Sequence, residues 1–349
     1  MSEGKLDPKD MQNEINRLNK HIQQQDRCSG VFAHMNSMQW MKESNLRPIP
    51  KMLFSEFWYE QEICILFADT NVGKSILAVQ IANSISKGIP IVGFKLEAEK
   101  QQVIYFDFEL SDKQFEGRYS KNYNDHYPFD DNLIRAEINS EAEIPKKLSF
   151  EEYLNESLEL IIEKLDSRVL IIDNMTYLRN ETERAKEALP LMKHLKALKS
   201  KYNLSILVLA HTPKRDLSKP INRNDLQGSK MLINFCDSSF AIGESVTQTN
   251  LRYLKQIKQR NTEHLYDTGN VIVCQVNKPH NFLRFEFLEF GDEREHLKEY
   301  NRLDQEQRLS EAQELRKQGK SNREIARVFH VSEGAIRKWF KKAGDEDNQ

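Results

Sequence analysis

The sequence predicts an α/β fold: a parallel sheet with helices on both faces and an antiparallel edge, followed by a small all-α unit. Three observations predict it. From residue 62 short apolar runs alternate with amphipathic helical stretches, the pattern of parallel strands joined by crossover helices. From residue 238 four further runs follow with little helix between them, as in an antiparallel edge. After residue 308 the apolar period becomes helical and the local charge turns positive.

Taken in order, residues 8–25 form a polar stretch with Met11, Ile15, Leu18 and Ile22 at 3–4 spacing. So narrow a stripe predicts a helical arm that needs a partner surface. The arm occupies 1–45 and the α/β unit 46–290. Ile63–Phe67 reads as a strand, Lys74–Ser86 as a helix and Val103–Phe108 as a strand. Residues 120–148 are polar and aromatic without a period, and read as a long loop or an insertion. Leu154–Leu165 is helical, and Val169–Ile172 is wholly apolar, as a strand covered on both faces must be. A helix over 183–201 and a strand over Leu204–Ala210 follow, then strands at 238–242, 251–257, 271–276 and 282–289. Residues 291–307 carry many charges and read as a linker, with a helix as the alternative, to the unit over 308–349. In that unit a first helix, Leu309–Lys317, stops at Gly319. Ser321 and Glu324 form a capping box that opens a second helix, with Ile325, Val328 and Phe329 on one face and Ala326 small enough for close approach. Ser332 opens a third, carrying Ile336, Trp339 and Phe340.

Composition narrows the function. Of 349 residues 39% are hydrophobic, enough for a sizeable core, and the net charge of −2 gives no bulk cationic field. Residues 308–342 differ, with 10 Lys/Arg against 4 Asp/Glu. No apolar run reaches the ~20 residues that span a bilayer. The polar N-terminus has no signal-peptide core, and Cys28, Cys64, Cys236 and Cys274 form no CxxC pair. These features predict a cytoplasmic protein with reduced thiols and no membrane partner.

Ala68-Asp69-Thr70-Asn71-Val72-Gly73-Lys74-Ser75 lies between a strand and a helix, the context in which backbone N–H groups wrap phosphates. Gly73 permits close approach, Lys74 reaches the β- and γ-phosphates, and the Ser75 hydroxyl serves Mg²⁺. The motif usually begins with glycine, so Ala68 requires a negative φ here. Asp173, at the end of a strand, suits the same metal. The residue after it is Asn174 instead of Glu, so a water-activating carboxylate must come from elsewhere. Glu109, just past the strand from Val103, is the candidate, with Asp107 its rival.

Residues 103–118 resemble the strand and "LEMS…Q…R" segment of RecA-like replicative helicases. The resemblance implies a RecA-like fold, in which Glu109 orients and activates the attacking water. His211, at a strand end, takes the place of the γ-phosphate sensor. The loop 212–227, with Lys214, Arg215, Lys219 and Arg223, takes that of a central-channel loop touching single-stranded DNA. Gln227-Gly228-Ser229 leads to Asp237 as in the family's "GS…D" segment. Lys258-Gln259-Arg260-Asn261 is similar to the "KQRN" element, whose lysine and arginine reach a neighbouring subunit's γ-phosphate. Over 46–290 the likeness is to hexameric plasmid RepA and DnaB-type helicases. Residues 308–342 resemble the helix-turn-helix of resolvases and transposases, which would bring Glu333, Gly334, Arg337 and Lys338 to bases or phosphates and Lys341 and Lys342 to phosphates. Together the resemblances imply ATP and Mg²⁺ as cofactors, DNA as partner, both single-stranded and duplex, and a homo-oligomer, a hexamer. They imply a ring-forming replicative helicase or replication initiator of a mobile element or phage. An ATP-switched DNA-binding regulator without unwinding is the alternative. A KaiC-like signalling ATPase that assembles proteins is a third class, which the basic tail disfavours.

Overall fold

The computed structural model describes residues 28–174, 188–212, 215–226, 229–298 and 302–329, with 333–334, 336–337 and 339–340. The expected arm helix over 8–25, the start of the helix expected from 183, Gln227, Gly228, Ser332, Lys214, Lys338, Lys341 and Lys342 lie outside these residues. The chain divides into two compact units, Met1–Pro50 and Lys51–Gln349.

In the first unit Cys28–Ser29 pairs antiparallel with Phe32–Ala33. Helix α1 (Ser37–Asn45) follows, opened by a capping box between Asn36 and Gln39. None of its residues is buried.

The second unit is built on a nine-stranded sheet. Its strands are β1 (Ile63–Ala68), β2 (Val103–Asp107), β3 (Leu133–Ala136), β4 (Val169–Asp173), β5 (Ser205–His211), β6 (Ser238–Glu244), β7 (Leu251–Lys258), β8 (Val271–Asn277) and β9 (Arg284–Gly291). The order is β9-β8-β7-β6-β1-β5-β4-β2-β3. The six strands from β6 to β3 are parallel to their neighbours, and β7, β8 and β9 add an antiparallel edge. This is the fold class expected from the sequence.

Alternation along each strand explains the layering. In β1, Cys64, Leu66 and Ala68 face one cluster with Leu77, Ile81 and Ile85 of helix α2 (Lys74–Lys87). Ile63, Ile65 and Phe67 face another. The short helix α3 (Asp112–Arg118) follows β2. The second cluster holds Leu158 and Ile162 of α4 (Phe150–Leu165), Leu191, Leu195 and Leu198 of α5 (Ala188–Tyr202) and Leu232 of α6 (Ser229–Phe235). Both faces of the parallel strands are therefore covered, which is why their sequences are continuously apolar.

The structure refines two expectations. Residues 120–148 are more than a loop: they contain a small hairpin, Ser120–Lys121 with Asp125–His126, and the edge strand β3. The charged stretch after 290 is partly folded. Gly291 ends β9, Glu293–His296 is a 3-10 turn, and Glu293 is fully buried. Helix α7 (Arg302–Lys317) begins well before Leu309. Helix α8 (Asn322–Val328) carries the Ser321–Glu324 capping box, and residues 333–334, 336–337 and 339–340 are helical. Ala312, Ile325, Ala326 and Ile336 form a small core of their own, flanked by Phe329, Trp339 and Phe340. Val328 points to solvent instead of joining that face. The described cysteines Cys64, Cys236 and Cys274 are free and buried.

Candidate nucleotide site

Four parallel strands end side by side. His211 of β5 is in register with Ala68 of β1, and Asp173 of β4 with Asp107 of β2. Ligand groups in open α/β sheets collect at such carboxyl ends.

Ala68 closes β1 and is absent from the positive-φ positions, so its methyl group is accommodated where the motif usually has glycine. The turn is made later, by Asn71 (φ 63°) and Gly73 (φ 110°). Gly73 is constrained further, because a Cβ there would lie 3.0 Å from the Phe285 ring. Phe285 is itself fixed by Gln80, whose Nε2 donates to its carbonyl at 2.9 Å and whose Oε1 accepts from its N–H at 2.8 Å. Arg252 of β7 holds the loop from the other side, its Nε donating to the Val72 carbonyl at 3.0 Å. None of these three supports can be read from the motif: Phe285 and Arg252 come from distant parts of the chain, and Gln80, on α2, acts only through Phe285. Gly73 caps α2 without a side-chain hydrogen bond, so the N–H groups of Lys74 and Ser75 face the loop.

Lys74 is buried, and its Nζ donates to the carbonyls of Ala68 (3.0 Å) and Asp69 (2.8 Å). Burial lowers its pKa, opposed by the charges of Glu109, Asp173 and Asp69. Its Nζ also lies 3.2 Å from His211 Nδ1. Beside the Asn174 amide, at 3.0 Å, is the other ring nitrogen, Nε2. That nitrogen is 3.4 Å from Glu109 Oε1. Asn174 Nδ2 donates to the same oxygen. The hydrogen bond from His211 is the largest influence on Glu109 and holds its carboxyl below the ordinary range. Burial opposes it, and the charges of His211 and Lys74 and the Asn174 amide reinforce it. Glu109, His211 and Lys74 are thus brought together as expected.

Asp107 is committed elsewhere. Its Oδ2 accepts from Arg135 Nε of β3 at 2.9 Å, and its Oδ1 accepts from the N–H groups of Glu109 (3.3 Å) and Leu110 (3.0 Å). The rival carboxylate is therefore a structural one that shapes the turn bearing Glu109.

Asp173 is fully buried. Its Oδ2 accepts from the Tyr105 hydroxyl at 2.5 Å, and Ser75 lies close enough to the same carboxyl to favour its charged form. Burial raises its pKa to about 6. Its Oδ1 is buried with no hydrogen-bond partner among the described residues. An orphaned carboxylate oxygen beside a serine hydroxyl at a phosphate loop fits Mg²⁺, which takes few protein ligands and completes its shell with phosphate and water. No group of three or more His, Cys, Asp or Glu side chains among the described residues offers a closed metal cage. Lys74 and the open first turn of α2 fit the phosphates of ATP in the same way.

The remaining cations are placed unevenly. Arg215, expected to be exposed, is turned inward: its side chain is only 7% exposed, 3.8 Å from Asp225, and its Nη2 donates to the Lys219 carbonyl at 3.2 Å. Lys219 and Arg223 are exposed. Lys258, expected to reach outward, instead donates to the carbonyls of Ile233 and Cys236 at the end of α6, where a cation satisfies unpaired helix carbonyls. Burial lowers its pKa. Arg260 is half exposed and pairs with Asp237 at 3.0 Å. Arg337 pairs with Glu333 one turn earlier at 2.6 Å. No helix among the described residues is long and apolar enough to cross a membrane.

Among solved structures, that of a KaiC-like protein from the hyperthermophilic archaeon Pyrococcus horikoshii OT3 is similar, at 12% identity and a TM-score of 0.43, covering 66% of this chain and 91% of that one. No curated protein matches. The AAA_25 family, an AAA domain, matches residues 32–216. With more than half of its length matched, and a phosphate loop at the heart of that segment, the chain belongs to the AAA_25 family and is an ATP-binding P-loop ATPase.

Proposed function

We propose that this chain is an ATP-hydrolysing DNA-binding protein that works as a ring-forming replicative helicase or replication initiator of a mobile element or phage. The observation that carries the ATPase part is the convergence of Lys74, His211 and Glu109 within hydrogen-bonding reach at the phosphate loop. Mg²⁺ and ATP, when bound, supply the γ-phosphoryl group and neutralise charge on it. Ser75 and Asp173 would hold the metal, and Lys74 the phosphates. Glu109, kept ionised by its neighbours, accepts a proton from the attacking water. His211 links Lys74 to Glu109, so that phosphate contacts at the lysine are felt at the base.

The position of Arg260 supports the ring. Ser238 is in register with Cys64, and Lys258 with Ser239, so the segment from Lys258 to Asn261 lies at the opposite edge of the sheet from the phosphate loop. The six residues of β1 separate the two edges by roughly 17 Å, more than one side chain spans. If Arg260 serves a nucleotide, that nucleotide belongs to another subunit. Lys219 and Arg223 support contact with single-stranded DNA, and the basic segment 308–342 supports contact with a duplex.

The second reading is the ATP-switched regulator without unwinding. The inward turn of Arg215 favours it, because the candidate channel loop then presents fewer cations. ATP turnover measured with and without single-stranded DNA decides between them. The helicase reading expects strong stimulation, lost in Lys74→Ala through lost nucleotide binding. In Glu109→Gln binding is retained and turnover falls about 10²-fold. Turnover indifferent to single-stranded DNA establishes the regulator instead. Wild-type turnover in Glu109→Gln refutes the assignment of the base.

A further inference from the structure

We propose that Asn174 is a positioning residue for hydrolysis: its amide anchors one oxygen of Glu109, leaving the other to take a proton from water. The proposal rests on Glu109 being the water-activating carboxylate.

The backbone around Glu109 is already fixed. The Phe108 N–H donates to the Asp173 carbonyl at 2.8 Å, tying the turn to the end of β4. Asp107 accepts from the Glu109 and Leu110 N–H groups on the other side. What remains free is the side chain of Glu109 itself, which is 37% exposed and has three rotatable bonds. Its Oε1 meets two groups. His211 Nε2, at 3.4 Å, is too long a contact to fix a carboxylate alone. The Asn174 amide is the closer donor. Asn174 is only 3% exposed and follows directly on β4, so its short side chain is held by the sheet. Glu109 Oε2 has no hydrogen-bond partner among the described residues. Among the described residues one oxygen is anchored and the other is open.

The residue type matters. A second carboxylate at 174 would repel Glu109, whereas an amide there donates to it and favours its charged form. Alignment of a base on its water is sensitive to small displacements, and misplacement by about 1 Å can cost 10²-fold in rate.

The test is a four-corner cycle in the full chain. Asn174→Asp keeps shape and replaces the donor by an acceptor; Asn174→Ala removes the group. Both are made in wild type and in Glu109→Gln. The proposal expects kcat to fall 10- to 100-fold in wild type, with KM and the affinity for a non-hydrolysable ATP analogue unchanged. In Glu109→Gln neither change should lower the residual rate further. Carbon NMR of the Glu109 carboxyl in nucleotide-free protein provides a readout independent of turnover, and its titration should move to higher pH in both variants. Wild-type turnover in both variants overturns the proposal. So does an equal further loss in the Glu109→Gln background, which would place the action of Asn174 elsewhere. A rise in turnover also overturns it, since the contact would then restrain the base. Full turnover in Glu109→Gln alone overturns the assignment of Glu109, a failure visible in a different corner of the cycle.

Discussion

At the scale of single residues, two positions of the phosphate loop have opposite requirements. Gly73 combines a φ of 110° with a Phe285 ring 3.0 Å from where a Cβ would stand. Backbone strain of this kind costs of order 1–3 kcal/mol in a residue with a side chain. Gly73→Ala is therefore expected to lose about that much stability by urea unfolding and to weaken nucleotide binding at least tenfold. Adding Phe285→Leu opens the space but leaves φ unchanged, so the double variant should recover only part of the loss. Complete recovery would mean that the ring, and not the backbone, makes the demand. Ala68 requires nothing of the kind. It is a buried strand residue, and Ala68→Gly, although it restores the common motif, should bind nucleotide no better and cost roughly 0.5–1 kcal/mol of stability. The loop sequence raised the question of Ala68, and only the backbone angle answers it.

At the scale of elements, the sheet has two working edges. The carboxyl ends of β1, β2, β4 and β5 carry the candidate nucleotide site. The opposite edge gathers Glu62, Asp237, Lys199, Arg260 and Asn261. There Glu62 is buried and accepts from Ser238 Oγ (2.7 Å), the Tyr59 N–H (3.2 Å) and Asn261 Nδ2 (2.8 Å). Burial nevertheless raises its pKa from 4.5 to about 7. A carboxyl with a raised pKa in the folded state binds protons more tightly there than in the unfolded chain. Its stabilisation is complete below about 4.5 and is lost as the pH rises to about 7. That difference corresponds to about 3 kcal/mol. In nucleotide- and metal-free protein, stability should decline across this window, and Glu62→Gln should flatten the decline. Asp173, with its own raised pKa, is present in both proteins, so the difference between them isolates Glu62. Parallel slopes would show that Glu62 does not carry the effect. The strands and helices of these edges were legible because their apolar runs are long or strongly periodic. The edge strand β3 was not. Its four residues, Leu-Ile-Arg-Ala, are only partly buried and carry no period that short length can display, and with it Arg135 and the neutralisation of Asp107 were missed. The inward turns of Lys258 and Arg215 were equally invisible. Their partners are the carbonyls at the end of α6 and the carboxylate of Asp225, which no spacing rule connects to them. Lys74, Glu109, His211 and Asp173 were legible because each sits at the end of a readable strand or the start of a readable helix.

At the scale of the whole molecule, the separation of the two edges makes Arg260 the residue that decides between a self-sufficient ATPase and a shared site. A cation supplied across an interface can be worth ~10³–10⁵ in rate. Arg260 is paired with Asp237 but half exposed, so it can exchange that partner for an anion without unpacking the core. Asp237 would lose little by the exchange, since it also accepts from Lys199 Nζ at 2.8 Å and from the Ile63 N–H at 3.0 Å. Lys258, by contrast, is fastened to the end of α6, so the proposed trans role falls on Arg260 first. Neither Arg260→Ala nor Lys74→Ala protein should hydrolyse ATP alone at more than a small fraction of the wild-type rate. Mixed, they should regain activity, because at some interfaces an intact phosphate loop from the Arg260→Ala subunit meets an intact Arg260 from the Lys74→Ala subunit. The regained rate should depend on the mixing ratio and peak near equal amounts, and native mass measured with ATP should show an oligomer throughout. Full wild-type turnover by Arg260→Ala protein, or by wild-type protein that stays monomeric with ATP, would refute the shared site. The arginine would then be a structural partner of Asp237 alone.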